Sequence, residues 1–441
     1  MKKDKINIVI SAPDKGIGGG NRKYGIWYRN LDSKYFNKCF VYIDEESKGI
    51  KKDKSGNYRI KKNDLSQFIK SKDIDFFYPG KLNQESCEII KSQTHLLSNV
   101  VFTRKLTEDP RVSNLIISKT EFVRISQLYK ENANSHVVYN PIDFKLWKDL
   151  KKSSPASYRK FFEKKGIKTI IGRIARSEPS KWDYLIIRTI QILQRKKKYE
   201  YGFIFVGMPL LHRYFLKIIL SKKMLSNILF LPEMSDLHDI ASFYKSIDVF
   251  WQTSELGETF GNVIAESFCF NIPVISDYKK SIRKKKILKY IGDSQIELVD
   301  HEKNGAYCIY PSSVISFLDS KSKKDLKSLG ENGSEKVKTL YDAKIGAKTM
   351  AKIFYNILRK EKRISKLQKF EDLKILPSKK ESREYISEYW KRAQIALEAN
   401  KVGFFEHTNY KIRETLWKGL EKGYLLLRKS LKYINIKLEK Y

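Results

Sequence analysis

Residues 247–276 read IDVFWQTSELGETFGNVIAESFCFNIPVIS, and this stretch decides the fold. It begins with a strand-like apolar run, passes through a loop into helix-forming residues, and ends in a second apolar run at 272–276. Strand, loop, helix and strand in that order are typical of a parallel α/β sheet. A helix that starts at Thr259 directs the free backbone amides of Thr259, Phe260 and Gly261 toward the loop, where an anion can bind.

Two glutamates frame this predicted helix start: Glu258 lies in the loop and Glu266 inside the helix. Eight helical residues rise on the order of 12 Å, which is roughly the distance from ribose to hexose in a nucleotide diphosphate sugar. One carboxylate is then placed for ribose hydroxyls and the other for sugar hydroxyls, with the phosphates on the amides between them. Taken alone, such a pair is also typical of exposed glutamates at a helix end.

Short apolar runs recur along the chain between helical stretches. They stand at 6–11, 39–43, 74–78, 100–103, 115–118 and 137–139, and again at 169–173, 202–207, 228–231, 248–253 and 273–276. The pattern predicts two Rossmann-like domains with doubly wound parallel sheets and a cleft between them. We place the first domain at 1–143 and the second at 144–360, closed by a helix near 343–359. A helical basic extension follows at 361–441.

The composition is that of a folded protein with a strong positive charge. The 441 residues are 41% hydrophobic and 31% charged, and the formal net charge is +37. Such a charge favours anionic partners, although abundant lysine, isoleucine, asparagine and tyrosine are equally what AT-rich coding produces. The four cysteines are scattered, which fits reduced thiols in a cytoplasmic protein. No apolar run approaches the roughly 18 residues that cross a bilayer, so any membrane contact is peripheral.

Two groups of residues follow predicted strands and suit a phosphorylated ligand. Gly16, Gly18, Gly19 and Gly20 leave the backbone bare after the first strand, although their spacing does not match a dinucleotide fingerprint. Arg176 and Lys181 follow the strand at 169–173 and are placed to neutralise a diphosphate; they are also two cations among many. The loop after Gly207 is a candidate wall for a nucleobase.

Several motifs come in an order and spacing similar to those of a known family. They are Asn140-Pro-Ile-Asp143, Arg176 to Lys181, Gly207, Gly257-Glu-Thr-Phe-Gly261 through Glu266, Pro273-Val-Ile275, and Glu297-Leu-Val299 with Asn304-Gly305. Together they resemble the retaining GT-B glycosyltransferases of glycosyltransferase family 4, also called glycosyl transferases group 1. The resemblance covers roughly residues 5–360 and is strongest from 137 to 310.

The resemblance implies a role for each matching position. Glu258 holds donor-sugar hydroxyls, Glu266 holds the ribose, and Arg176 with Lys181 holds the diphosphate. The remaining donor contacts are backbone positions: Thr259, Phe260 and Gly261 at the distal phosphate, Gly207 in the same domain, and Gly18 and Gly19 from the opposite domain. The implied donor is a UDP- or GDP-sugar and the acceptor a carbohydrate or a lipid-linked glycan. The family retains anomeric configuration and needs no essential metal or other cofactor.

Three positions depart from the family pattern. Asn271 replaces the usual glycine before Pro273, and asparagine is the next-best residue for a left-handed helix end. No histidine stands at 100–104, where many members carry one, and His95 lies on the wrong side of that predicted strand for a catalytic role. Trp182 replaces the glycine that usually follows the phosphate-contacting lysine.

The carboxyl-terminal extension carries an apolar stripe at helical spacing. Its members are Ile412, Leu416, Leu420, Tyr424, Leu427, Leu431, Ile434 and Leu438, and lysine and arginine dominate the other faces. A basic amphipathic helix of this kind can lie on an anionic membrane surface. Packing on the body of the protein or on a partner is the alternative that we favour.

The charge also supports a second hypothesis: a non-catalytic basic protein on a GT-B scaffold that binds an anionic membrane or nucleic acid. No nucleic-acid module is recognisable, and aromatic residues do not alternate with the basic runs. We therefore expect no nucleic acid partner and predict a cytoplasmic, peripheral enzyme that transfers a sugar.

Overall fold

The computed structural model describes residues 5–11, 19–43, 49–80, 84–100, 106–128, 134–278, 294–361, 379–400 and 403–433. Within these ranges the chain forms two α/β domains, each built on its own sheet, and two long helices that follow them. The predicted fold class is therefore confirmed.

The first domain holds an eight-stranded sheet in the order β3-β4-β2-β1-β5-β6-β7-β8. Its strands are β1 (Ile6–Ser11), β2 (Phe36–Ile43), β3 (Ile50–Lys52), β4 (Tyr58–Ile60), β5 (Phe76–Tyr78), β6 (His95–Val100), β7 (Val112–Ile116) and β8 (Ser135–Val137). Its helices are α1 (Gly19–Asn30), α2 (Leu65–Ser71), α3 (Gln84–Lys91) and α4 (Lys119–Leu128). All pairings are parallel except that of β3 with β4.

The first domain differs from the prediction at two places. The strand expected at 100–103 lies earlier, because β6 ends at Val100, and residues 101–105 lie outside the described residues. Strands β3 and β4 were not predicted. All three residues of β3 are exposed, so this edge strand lacks the apolar pattern that identifies a buried one.

The second domain holds a six-stranded parallel sheet in the order β11-β10-β9-β12-β13-β14. The strands are β9 (Thr169–Ile174), β10 (Tyr201–Val206), β11 (Ile228–Leu231), β12 (Val249–Gln252), β13 (Val274–Ser276) and β14 (Gly305–Tyr307). Its helices are α5 (Phe144–Ser153), α6 (Lys160–Glu163), α7 (Tyr184–Arg195), α8 (Leu210–Ile219), α9 (Lys222–Leu225), α10 (Leu237–Lys245), α11 (Asn262–Cys269), α12 (Gln295–Leu298), α13 (Pro311–Ser320) and α14 (Lys323–Leu340). Asn271 has φ 62°, which confirms the left-handed conformation expected of it.

Helix α15 (Ala343–Lys360) does not close the second domain as predicted. Its buried face packs into the core of the first domain, where Phe354 stacks on Phe76 at 4.3 Å between ring centroids. The chain therefore crosses from the second domain back to the first before residue 343. Helical periodicity predicted the helix correctly but carries no information about which sheet its apolar face covers.

The two crossings between the domains lie side by side. The Ile142 amide donates to the Tyr341 carbonyl at 3.2 Å, and the Ala343 amide donates to the Ile142 carbonyl at 2.8 Å. Farther along the interface, the Glu297 carboxylate accepts the backbone amides of Lys119 and Thr120 at 3.2 and 3.1 Å. A carboxylate from the second domain thus caps the start of α4 in the first.

Two long helices, α16 (Lys379–Glu398) and α17 (Phe404–Tyr433), follow and pack on the second domain. In α16, Arg392 bonds the Asp300 carboxylate at 2.8 Å. In α17, the Trp417 ring stacks on Tyr184 at 5.9 Å. Packing on the body, the favoured alternative, is thus observed. Among the described helices, none is long and apolar enough to cross a bilayer.

The contact face of α17 is not the apolar stripe identified in the sequence. Tyr410, Glu414, Trp417 and Glu421 are buried, whereas the stripe members Ile412, Leu416 and Leu420 are exposed. The packed face carries two large aromatic rings, Tyr410 and Trp417, and such rings bury more area than leucine. Residues 434–441 lie outside the described ranges.

Candidate functional site

The loop between β12 and α11 brings the two glutamates to the cleft. Helix α11 begins at Asn262 rather than at Thr259, because Gly261 has φ 95° and forms the left-handed turn that precedes the helix. The predicted helix start is therefore three residues too early. No described residue accepts a hydrogen bond from the amides of Thr259, Phe260 or Gly261. These amides precede a helix N-terminus, where the backbone favours an anion.

The first domain touches this loop directly. The Ser118 hydroxyl donates to the Thr259 carbonyl at 3.0 Å and lies 2.8 Å from the Ser294 hydroxyl. The Phe260 ring is buried against Tyr139 and Tyr341, at the domain crossings. The loop is thus fixed by both domains, and the Phe260 side chain serves packing while its amide remains available.

Glu258 lies half-buried beside a lysine and an amide. Its Oε1 accepts from the Gln252 side chain at 2.8 Å and lies 3.5 Å from Lys181 Nζ. Both charged side chains keep 17% of their surface exposed, so the pair is accessible from solvent. Two of the predicted catalytic residues, Glu258 and Lys181, are therefore neighbours.

Arg173 organises this pair, although no role was predicted for it from the sequence. Its guanidinium donates to the Gln252 side-chain oxygen and, at 2.6 Å, to the Lys181 carbonyl. It is 1% exposed, and burial lowers its pKa to about 10, opposed by the charges of Glu258 and Asp277. The sequence did carry a signal for this contact: an arginine and a glutamine lie inside otherwise apolar strands. Such residues are seldom buried without a partner.

Glu266 lies on α11 and reaches across the cleft. Its Oε1 accepts from Arg22 of α1 at 2.8 Å, and its Oε2 accepts from the Tyr244 hydroxyl at 3.2 Å. Burial raises the pKa of Glu266, while the Arg22 charge and the Tyr244 hydroxyl act in the opposite direction. Arg22 also lies over the Trp147 ring at 5.6 Å. Glu266 is therefore an interdomain contact as well as the predicted ribose ligand.

Arg176 is not assembled with the other predicted catalytic residues. It pairs with Glu178 at 2.9 Å, and its side chain is 54% exposed. Its carbonyl accepts from the indole of Trp182 at 3.0 Å. Trp182, one of the departures from the family pattern, is buried 5.4 Å from the Arg173 guanidinium, so it holds the loop that carries Lys181.

The structure describes Gly207 and Gly19 but not Gly18, three of the glycines predicted to contact the donor. Gly207 has φ 74°, and a side chain there would meet the Ala175 carbonyl oxygen at 2.0 Å. Glycine is thus required at Gly207 by the backbone itself. Gly19 opens α1, whereas Gly18 lies outside the described residues. His95 is the first residue of the interior strand β6, and its Nε2 lies 2.7 Å from a Glu361 carboxylate oxygen.

Of the described residues, one group of acids is close enough to share a metal ion, and it lies beside α17. Asp183, Glu255 and Glu414 offer carboxylate oxygens within 4.8 Å of one another. Lys418 Nζ lies 3.1 Å from Glu255 and 3.3 Å from Glu414. A protein cation therefore already neutralises part of this group.

The two-domain arrangement is GT-B, the fold of several solved structures. A glycosyltransferase from Rickettsia africae superposes with a TM-score of 0.61 at 15% identity, over 81% of this chain and 100% of that one. Anabaena HepE, in complex with UDP and glucose, gives 0.57 at 15% identity, over 80% and 100%. Sucrose-phosphate synthase from Thermosynechococcus elongatus gives 0.60 at 12% identity, over 81% and 100%.

Residues 156–284 match the family model described as glycosyl transferases group 1. The matched segment contains Arg173, Lys181, Glu258 and Glu266. No curated protein sequence matches the chain.

Proposed function

We propose that this protein transfers a sugar from a UDP- or GDP-sugar to a carbohydrate or lipid-linked glycan acceptor, with retention of anomeric configuration and without an essential metal. The observation that carries the proposal is the grouping of Glu258, Lys181 and three amides at one edge of the cleft. A carboxylate suits sugar hydroxyls, and a cation with amides before a helix suits phosphate. The match of residues 156–284 to glycosyl transferases group 1 supports the same class of activity.

In the proposed reaction, the bond between the anomeric carbon and the diphosphate oxygen breaks. The acceptor oxygen bonds the same face of that carbon, and its proton passes to the departing phosphate oxygen. Lys181 and the amides of Thr259, Phe260 and Gly261 stabilise the charge that develops on the diphosphate. Glu258 binds the sugar hydroxyls and so orients the sugar relative to the diphosphate. Arg176 would have to leave Glu178 to take part.

The ribose role of Glu266 requires an exchange of partners. Arg22 and the Tyr244 hydroxyl occupy both carboxylate oxygens, at 2.8 and 3.2 Å. Each oxygen has two lone pairs, so ribose hydroxyls can share the carboxylate or displace Arg22. Displacement would loosen a contact between the domains, which links donor binding to cleft opening.

The test is nucleotide release from a panel of UDP- and GDP-sugars, with and without a mixture of oligosaccharide acceptors. Glu258→Gln keeps the size of the side chain and removes its charge, and we expect at least a hundredfold loss of release. Glu335→Gln is the matched control, because Glu335 is 64% exposed on α14. Turnover that is equal in both variants would exclude Glu258 from the reaction, and no turnover of any donor would contradict the proposal.

Two finer features need their own measurements. Proton NMR of the first-formed product reports whether the anomeric configuration is retained. Full activity in excess EDTA is expected for a metal-independent transfer. The non-catalytic alternative predicts salt-sensitive binding to anionic polymers or vesicles that is unchanged by Glu258→Gln, together with no turnover.

A further inference from the structure

Helix α17 divides into an inner and an outer face. The inner face carries Tyr410, Glu414, Trp417 and Glu421, all of which are buried. Trp417 contacts the rings of His212 and Phe215 on α8 at 4.9 and 5.1 Å. This contact fixes the helix on the second domain and decides which residues face outward.

The outer face carries large apolar residues whose side chains are exposed. Ile412, Leu416 and Leu420 recur at every fourth position and are 57%, 65% and 59% exposed, and Leu426 is 57% exposed. We call these four residues the outer stripe. Soluble proteins seldom expose contiguous apolar surface of this kind without a binding role.

The charges on α17 are segregated in the same way. Its two central acids, Glu414 and Glu421, point inward, whereas Lys411, Arg413, Lys418 and Lys422 are all exposed. Lys411 and Lys418 reach Glu414 at 2.7 and 3.3 Å; the other two cations belong to no ion pair among the described residues. The solvent side from 410 to 426 therefore presents cations beside apolar side chains and no exposed acid.

The neighbouring helix exposes a similar stripe. On α8, Leu210, Tyr214 and Ile218 recur at every fourth position and are 49%, 66% and 64% exposed. Exposed Lys217 lies among them. Two helices in contact thus leave apolar rows uncovered on the same domain.

We propose that the outer stripe of α17 docks the protein on an anionic membrane surface, with its leucines in the headgroup region and its cations at the lipid charges. Basic amphipathic helices bind membranes through this combination. Charge favours a membrane over a second protein copy as the partner of this stripe. A second copy of a chain with net charge +37 is repelled, whereas anionic lipid is attracted. The proposal holds whether or not the protein transfers sugars.

Helix α17 is connected by short contacts to the chain segments that carry Glu258 and Lys181. Lys418 bonds Glu255, which lies three residues before Glu258, and Trp417 stacks on Tyr184, which lies three residues after Lys181. A bilayer bound at α17 would therefore hold the cleft in a defined orientation to the membrane. That geometry suits an acceptor carried on a lipid.

The experiment is co-sedimentation of the full chain with vesicles of phosphatidylcholine alone and of equal parts phosphatidylcholine and phosphatidylglycerol. We expect binding to the anionic vesicles only, weakened by salt. The double variant Leu416→Glu with Leu420→Glu should reduce that binding at least tenfold. The matched control, Leu340→Glu with Ile345→Glu, changes two exposed apolar residues and the same charge elsewhere, and should bind as the natural protein does. Circular dichroism melting checks that both variants fold.

Three outcomes would overturn the proposal. The first is failure of the natural protein to bind anionic vesicles, and the second is equal binding by both double variants. The third is a size-exclusion profile in which the natural protein is a dimer and the α17 variant a monomer, because the outer stripe would then join two copies of the chain. None of these depends on sugar transfer, which the Glu258→Gln assay tests separately.

Discussion

Replacement of Arg173 by methionine should lower turnover strongly while changing the free energy of unfolding little. The buried guanidinium donates to the Gln252 side chain and the Lys181 carbonyl. Methionine keeps the aliphatic length but leaves both acceptors without their donor, which costs about 1–3 kcal/mol for each. Against this, burial lowers the Arg173 pKa to about 10, so removing the charge recovers about 3 kcal/mol. The net change is then between a gain of about 1 kcal/mol and a loss of about 3 kcal/mol in the free energy of unfolding.

The effect of Arg173→Met on turnover should be much larger. Gln252 and Lys181 both contact Glu258, and a displacement of about 1 Å at such a site can cost about a hundredfold in rate. We therefore expect a urea midpoint close to that of the natural protein and nucleotide release lowered about a hundredfold. The control is Arg159→Met. Arg159 pairs with Asp248 at 2.8 Å, just before the first residue of β12, whereas Glu258 follows the last residue of that strand. The turnover of this variant should be unchanged. Unchanged turnover in Arg173→Met, or a stability loss above about 5 kcal/mol, would refute this reasoning.

Three further perturbations test the packing around the site. Gly207→Ala places a methyl group 2.0 Å from the Ala175 carbonyl oxygen at φ 74°, so we expect a loss of about 3 kcal/mol or more in urea unfolding, and a loss below about 1 kcal/mol would contradict the close approach. Trp417→Ala removes three ring contacts and should abolish hydrogen-exchange protection in α17 while β9 to β14 stay protected; unchanged exchange would show that α17 is held elsewhere. Burial lowers the His212 pKa from 6.5 to about 4. The contribution of the neutral side chain to the free energy of unfolding is therefore intact above pH 6.5 and decreases as the pH falls toward 4. Between pH 7 and pH 5, the free energy of unfolding of His212→Leu should therefore rise by about 2 kcal/mol relative to that of the natural protein. Parallel curves of unfolding free energy against pH for the two proteins would contradict a neutral buried histidine.

The sequence predicted the sheets better than it predicted the packing between elements. Strand β10 is a continuous apolar run, which is the pattern typical of a parallel sheet buried on both faces. Helix α15 was placed in the wrong domain because helical periodicity does not indicate which sheet an apolar face covers. The exposed edge strand β3 escaped notice since it buries none of its residues.

Backbone conformation can be predicted where it is encoded locally, whereas contacts between distant residues cannot. Asn271 adopts the left-handed conformation expected of it. The roles of Glu258 and Lys181 at the donor site were assigned through the family resemblance; the two side chains lie 3.5 Å apart, and their roles stay predictions. Arg173 was missed because its role depends on a partner 79 residues away, the Gln252 side chain. The ion pair between Arg22 and Glu266 spans 244 residues, and no local pattern can reveal such a pairing.

The most direct test of the central claim is a crystal structure of the protein soaked with the nucleotide sugar that it turns over. We predict the diphosphate at the amides of Thr259, Phe260 and Gly261 and beside Lys181, with the sugar hydroxyls on Glu258. A nucleotide sugar bound elsewhere, with these amides and Glu258 facing only solvent, would contradict the claim that this loop is the donor site.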